Sequence, residues 1–200
     1  MLPALSINRD LNNYWELNLK GETRQIWQEG TTAEDLELGW RHELVDLSLV
    51  ATRRLGFDYD LTGGYLVRIQ EGSWAHRLLQ QLTLKTDFTD FRLSHRWRTD
   101  QTFERGAPPT FRLRYRLATE IPLRGQTTDV REFYLKGSNE YLASTEGSEQ
   151  DLETRFVGVL GYQLVTKNKV ELGADYRLDS FLAGPPAHTF WLVFNYYVSL

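Results

Sequence analysis

The side chains of this 200-residue chain that could do chemistry are mainly charged residues spaced two apart. Six arginines fall into two runs at spacings of two or four residues, Arg92, Arg96 and Arg98 and then Arg112, Arg114 and Arg116. Residues two apart share one face of a β-strand, and antiparallel neighbours place opposite side chains about 5 Å apart. The two runs therefore predict a cationic wall on one face of a sheet. Such a wall is strongly unfavourable at low dielectric unless carboxylates neutralise it.

Carboxylates that could neutralise these arginines recur along the chain. Besides the six arginines, the charged residues that we assign to the same face are Glu132, Glu140, Arg155, Glu171 and Asp175. Arginine and carboxylate form bidentate hydrogen bonds, so one interpretation is an interior plugged by ion pairs. The other is a narrow water-filled path, because rings of arginine line anion pores. The residues leave both interpretations open.

Catalytic chemistry has weaker support. The chain contains no Cys, which excludes thiol chemistry, disulfides and thiolate zinc sites. A nucleophile could meet a base where His76 lies near Ser73 and Glu71, or beside His188. No His or carboxylate pair has metal-ligand spacing on one face, and no glycine-rich phosphate loop occurs, so we predict no metal and no cofactor. We expect no enzyme, and a lipid-modifying hydrolase is the alternative.

Apolar and polar residues alternate with period two along most of the chain, and this pattern predicts β-strands. The predicted strands cover residues 3–9, 14–27, 34–43, 47–55, 64–71, 76–86, 91–103, 110–123, 129–142, 151–165, 169–179 and 187–200. Gly, Pro and Asn separate them, and no linker or low-complexity segment divides the chain. We therefore predict one all-β domain over residues 1–200.

The length of the runs and the positions of the aromatic residues indicate which face is outside. Several runs reach about 12–14 residues, whereas strands of globular proteins have about 5–6 and tilted membrane strands about 9–11. Aromatic residues near strand ends would form interfacial girdles: Trp15, Trp27, Trp40, Trp97, Tyr115, Tyr162, Tyr176 and Tyr196. We predict a closed antiparallel up-and-down transmembrane β-barrel of about twelve strands. The alternative is a soluble calycin-like barrel that binds an apolar ligand.

The connections between the predicted strands indicate the topology. From residue 87 onward, short connections (87–90, 124–128 and 166–168) alternate with longer ones (104–109, 143–150 and 180–186). Bacterial outer-membrane barrels have short periplasmic turns and longer external loops, so we predict an outer-membrane location with both termini in the periplasm. Residues 64–71 read either as a strand or as part of an outer loop. We favour the strand, because bacterial single-chain barrels have an even strand count.

The last predicted strand carries a candidate assembly signal. Its residues of one parity are Phe190, Leu192, Phe194, Tyr196, Val198 and Leu200. This run resembles the carboxyl-terminal signal read by the outer-membrane barrel insertion machinery, although that signal usually ends in Phe. We expect outer-membrane lipids and this machinery as partners, with another envelope protein as a further candidate. We expect no nucleic acid, because the net charge is −4.

Several short motifs occur in an order that resembles the DUF2490 family. They are His76-Arg77, Gln80 to Lys85, Arg92 to Arg98, Arg112 to Leu117, Ile121-Pro122-Leu123, Asn139 to Leu142, Arg155 with Gly158 to Tyr162, and Glu171-Leu172-Gly173. The resemblance covers roughly residues 34–200. It implies an outer-membrane β-barrel of Gram-negative bacteria without an established activity, and it assigns no catalytic residue.

Overall fold

The computed structural model describes residues 1–29, 37–182 and 184–200, and the side chains of residues 27–29 and 37–40 fall outside this description. The described chain forms eleven strands: β1 (Leu2–Asp10), β2 (Trp15–Glu29), β3 (Glu37–Arg54), β4 (Tyr59–Gln70), β5 (Ser73–Asp87), β6 (Arg92–Glu104), β7 (Thr110–Pro122), β8 (Phe133–Glu146), β9 (Glu149–Val165), β10 (Asn168–Asp179) and β11 (Ala187–Ser199). They close into one barrel in chain order. The predicted all-β closed barrel is confirmed, with eleven strands where we expected about twelve. The described residues include no helix with the length and apolar character needed to cross a membrane.

The difference in strand count arises in β3. The sequence predicts two strands there, 34–43 and 47–55, but Glu37–Arg54 is one continuous strand. Its register with β2 shifts between Arg24 and Gln25, which leaves Glu43 as an extra residue in β3. A bulge reverses the parity of every residue beyond it. The alternation of apolar and polar residues therefore makes this one strand look like two. Residues 64–70, which the sequence leaves open as strand or loop, lie in strand β4.

The barrel is antiparallel except where it closes. Neighbouring strands from β1 to β11 pair antiparallel, whereas β1 and β11 pair parallel, with Leu2 opposite Val193 and Asn8 opposite Ser199. An odd number of alternating strands leaves the first and last strands running in the same direction. The predicted fully antiparallel closure is therefore wrong at this one seam.

Connection lengths do not alternate as we expected. We call the end of the barrel where β11 ends the C-terminal rim and the opposite end the far rim. At the far rim, residues 71–72 and 147–148 are two-residue turns. Glu71 and Gly72 both have positive φ, as a type I′ hairpin turn requires. The longest described connection, residues 123–132, lies at the C-terminal rim, so connection length does not distinguish the two rims.

The first and last residues lie at different heights in the barrel. Leu200 lies at the C-terminal rim, where its backbone N–H donates to the Asn8 carbonyl at 2.8 Å. The Met1 amino group instead donates to the Gln25 carbonyl at 2.6 Å, within the wall. Since β1 runs toward the C-terminal rim, its first residue cannot lie there. The expectation that both termini share one end is therefore wrong.

The two faces of the wall differ in chemistry. Every strand exposes large apolar side chains on the outside; Leu113 and Leu172, for example, are 59% and 60% exposed. The residues that alternate with them point inward. Arg114 keeps only 11% of its side chain exposed, and Asp175 is buried. Apolar side chains thus cover the outer surface of the barrel, and charged side chains line the inside.

Candidate functional site

The barrel interior is the main candidate site. It encloses a cavity of about 820 Å³ lined by residues from all eleven strands. Among the described residues, twelve lysines and arginines and nine aspartates and glutamates line this cavity. The lining is therefore densely charged and slightly cationic. Its chemistry suits water, ions and ion pairs and is unsuited to an apolar ligand.

The predicted arginine runs face each other across β6 and β7. Arg98 lies opposite Arg114, and Arg96 lies opposite Arg116. Like charges directly opposite each other are destabilising. The two strands are nevertheless paired along their length because buried carboxylates lie between these guanidinium groups.

Asp100 is the first of these carboxylates, and it is fully buried. Its oxygens lie 2.6 Å from Arg98 Nε and 2.7 Å from Arg114 Nε. One carboxylate thus neutralises two arginines on neighbouring strands. The predicted network omits Asp100, although its position two residues after Arg98 places it on the same face of the strand.

Glu140 on β8 is the second carboxylate. It accepts a short hydrogen bond from Arg96, and its other oxygen lies 3.6 Å from Arg114 and 3.7 Å from Arg155. Arg155 also contacts Glu153, its same-face neighbour on β9. The charged groups of four strands are therefore joined in one network.

A third carboxylate, Glu171, organises the interior near the C-terminal rim. Its oxygens accept hydrogen bonds from Tyr134 at 2.9 Å, Lys136 at 3.1 Å, Asn195 at 3.2 Å and Tyr197 at 3.1 Å. Glu171 itself is 2% exposed. A buried carboxylate with four donors is fully satisfied. The cluster is accordingly a rigid cross-link between β8, β10 and β11.

Further ion pairs line the interior on β3, β4 and β10. Arg68 forms a bidentate pair with Asp46, at 2.8 and 2.6 Å. Arg177 binds Asp175, its same-face neighbour on β10, at 2.7 Å. The bidentate geometry of the Arg68–Asp46 pair is among the strongest that arginine forms with carboxylates. The charged lining thus extends around the whole barrel.

Three predicted members of the charge network lie apart from it or lack a full set of partners. Arg92 pairs with Asp87 at the C-terminal rim, where both side chains are more than half exposed. Glu132 lies in the connection 123–132, 3.9 Å from Arg124. Arg116 lines the cavity, but its buried Nε has no hydrogen-bond partner among the described residues.

The predicted interfacial aromatic residues occupy different heights. Trp15 begins β2, and Tyr162 packs against Phe133 with 4.6 Å between ring centres. Other members are placed as follows: Tyr196 lies near the end of β11, Tyr176 packs against Phe190 toward the far rim, and Trp97 and Tyr115 pack together near mid-strand. The side chains of Trp27 and Trp40 lie outside the described residues. The described members thus lie both near strand ends and near mid-strand, and their placement at a membrane interface stays a prediction.

The histidines that the sequence singles out contact tyrosines in the described chain. The Nδ1 atom of His76 is 2.5 Å from the Tyr65 hydroxyl on the outer face. Ser73 donates instead to the Gln70 carbonyl, and Glu71 lies 3.8 Å from Arg41. Two further histidines pair in the same way on the outer face: His95 with Tyr115 at 2.8 Å and His188 with Tyr176 at 2.7 Å. In the described residues these imidazoles serve as tyrosine partners.

Comparisons with known proteins give one match. Neither the curated proteins nor the solved structures include a match to this chain. The family model described as "Protein of unknown function (DUF2490)" matches residues 3–184, from β1 to the connection before β11. This match covers most of the chain, which therefore belongs to the DUF2490 family.

Proposed function

We propose that this protein is an integral outer-membrane β-barrel of a Gram-negative bacterium whose interior is plugged by arginine–carboxylate pairs. The observation that carries the proposal is the orientation of the wall. Apolar side chains cover the outside, and charged side chains are enclosed. Membrane barrels have this orientation, whereas soluble barrels have the reverse.

Energetics supports a lipid environment for the outer surface. An exposed apolar surface this extensive is rare on soluble monomers, because contiguous patches seldom exceed a few hundred Å². In a bilayer the same surface is favourable, whereas a single arginine on the lipid face costs about 2–4 kcal/mol at the midplane. Closure of the sheet also favours a membrane location, because a closed barrel leaves few unpaired backbone groups to face the lipid.

The soluble calycin-like alternative requires the opposite interior. A barrel that binds an apolar ligand needs an apolar cavity with few polar groups. The cavity in this protein is lined by twelve basic and nine acidic side chains among the described residues. An apolar ligand there would strip water from charged groups without replacing their hydrogen bonds.

The charge network supports a plugged interior or, at most, a narrow path. Asp100, Glu140 and Glu171, together with the arginines, lysine and tyrosines that they contact, lie on six neighbouring strands, β6 to β11. A barrel of eleven strands lies between the small filled barrels and the wide porins. We expect small or absent conductance in planar bilayers. Large, stable channels would contradict the plugged interior.

Partners follow from the same proposal. The outward residues of β11 include Phe190, Leu192 and Phe194, which are exposed. This apolar face supports recognition of the last strand by the barrel insertion machinery. The outer surface would contact outer-membrane lipids. We propose no catalytic role, because the outer-face histidines pair with tyrosines.

The decisive experiment is detergent dependence. Folded protein should stay monomeric in detergent, precipitate when detergent is removed, and insert into lipid vesicles as a heat-modifiable band on gels. Location is tested separately by fractionation of the native cell envelope. A stable monomer in detergent-free buffer would refute the membrane assignment. Recovery in the inner-membrane fraction would refute the outer-membrane location alone.

A further inference from the structure

Two arginines of the barrel interior have no carboxylate partner within the described chain. Arg77 lies near the start of β5 and Arg112 near the start of β7, so both are close to the far rim. Both line the cavity of about 820 Å³. Arg77 is only 5% exposed, yet the described residues supply neither arginine with an ion pair. These two groups therefore differ from the paired arginines of the network.

Both guanidinium groups donate to the same hydroxyl. Thr102 Oγ1 accepts a hydrogen bond from Arg77 Nε at 2.8 Å and one from Arg112 Nη1 at 3.3 Å. A threonine hydroxyl has two acceptor lone pairs and one O–H donor. Both lone pairs are used here, so the hydroxyl hydrogen is left to donate, and no described residue accepts it. We call Arg77, Thr102 and Arg112 the Thr102 cluster.

The carboxylates on the surrounding strands are bound to other arginines. Asp100 lies opposite Arg112 in the register of β6 with β7, but its oxygens contact two arginines outside the cluster. Asp46 on β3 and Glu153 on β9 each pair with an arginine of a neighbouring or the same strand. The Thr102 cluster therefore keeps two positive charges that no described carboxylate contacts.

The donors and the charge of the Thr102 cluster suit a phosphate group. Enclosing a charged group is costly unless an opposite charge offsets the loss of water. A phosphate group carries a charge of about −1.5 to −2 at neutral pH and three acceptor oxygens. Guanidinium groups bind such oxygens through two parallel hydrogen bonds. Chloride has a single charge at a single point, so it cannot engage two guanidinium groups in this way.

The cavity gives a solute access to the Thr102 cluster. Its lining extends from Asn8 and Glu16, near the C-terminal rim, to Asp179 and Thr189, near the far rim. Its volume of about 820 Å³ is many times the roughly 30 Å³ that one water molecule occupies in the liquid. A hydrated phosphate group therefore fits beside the cluster.

We infer that the Thr102 cluster binds a phosphate group inside the barrel. Arg77 and Arg112 supply the charge and the paired N–H donors, and the Thr102 hydroxyl donates a further hydrogen bond. The phosphate group is either free inorganic phosphate or the end of a phosphate ester. This inference goes beyond the proposed function, because it assigns a ligand to the interior whether or not the barrel conducts ions.

Isothermal titration calorimetry tests the inference on the folded barrel in detergent micelles. Inorganic phosphate is titrated at constant ionic strength in a large excess of sodium chloride, and we expect saturable binding at a single site. Glycerol 3-phosphate is the second probe. Tighter binding of the ester would assign the site to phosphate esters, and tighter binding of inorganic phosphate would assign it to the free anion. If neither probe gives a saturable signal, the inference is wrong, because chloride then serves equally well.

Variants of the cluster locate the site. Arg77→Gln and Arg112→Gln should each weaken phosphate binding at least about tenfold, the loss expected for a hydrogen bond between charged groups. Arg77→Lys keeps the charge but loses the paired donors, so it should also bind more weakly. Neither arginine neutralises a described carboxylate, so the variants should fold, and urea unfolding without phosphate checks this. Wild-type affinity in the folded glutamine variants would overturn the site.

The matched control is Arg92→Gln at the C-terminal rim, where Arg92 pairs with Asp87 in an exposed position. This variant also loses one positive charge, but it should bind phosphate as tightly as the wild type. Equal weakening by Arg92→Gln and Arg77→Gln would mean that net charge alone attracts the anion, and it would overturn the assignment to the Thr102 cluster. Because all measurements use micelles, their outcome is independent of whether the barrel resides in the outer membrane.

Discussion

Substitution of Asp100 by Asn should destabilise the barrel strongly. The carboxylate is fully buried and lies within 2.7 Å of two guanidinium groups, those of Arg98 and Arg114. Asparagine keeps the size and one acceptor oxygen but removes the negative charge. Breaking a buried ion pair by removing one partner costs about 3–5 kcal/mol. We expect about 3 kcal/mol, since the amide oxygen still accepts one hydrogen bond and Glu140 remains near Arg114.

The assay is equilibrium unfolding by urea in lipid vesicles, followed by tryptophan fluorescence. The six tryptophans report on unfolding of the whole barrel, and Trp97 lies on the outer face of β6, the same strand as Asp100. Asp87→Asn is the matched control. Its ion pair with Arg92 is exposed at the C-terminal rim, where such pairs contribute about 0–1 kcal/mol.

The comparison of the two variants decides the outcome. A difference of at least about 2 kcal/mol between them would follow from burial of the Asp100 carboxylate between two arginines. Equal, small losses for Asp100→Asn and Asp87→Asn would refute the reasoning. They would mean that water screens the interior charges as effectively as the charges at the rim.

Three further predictions concern the outer face, the cationic wall and a close contact. Leu113→Arg should cost about 2–4 kcal/mol in vesicles, and a loss no larger than that of Leu113→Ser would contradict a lipid-facing position. If small currents are recorded, Arg114→Glu should lower anion preference; unchanged ion preference would exclude this wall from the path. Gly161→Ala should lower the free energy of unfolding by about 1–3 kcal/mol, because the new Cβ would lie 2.0 Å from the Tyr134 ring. The control is Gly158→Ala, whose Cβ would enter open space, and it should leave the same urea titration unchanged.

The strands were largely predictable from the sequence. Period-two alternation is a strong signal where one face of a strand is apolar and the other charged, as in β6, β7 and β10. It fails at Glu43, because a bulge changes the parity inside β3. The period-two alternation also does not indicate which two strands close the barrel. The parallel pairing of β1 with β11 depends on the odd strand count, which that bulge had concealed.

The candidate site was predictable in part. The alternation of side chains along a strand assigns residues to a face, so the sequence alone groups Arg96, Arg98 and Arg114. The partners of each guanidinium group depend on register between strands, which a sequence alone does not give. The contact of Asp100 with two arginines depends on register in this way, because Arg114 lies on the neighbouring strand. Arg92 differs for another reason: it has the parity of Arg96, but it begins β6 and therefore lies at the rim.

The parallel seam has a consequence for the order of folding. The two strands that it joins come from opposite ends of the chain, so their contact encloses nearly all of the polypeptide in one loop. Closing a longer loop costs more chain entropy, and nonlocal pairings form late. The hairpins from β1 to β11 should therefore zip into a curved meander first, and the pairing of β1 with β11 should be the slow, final event of assembly.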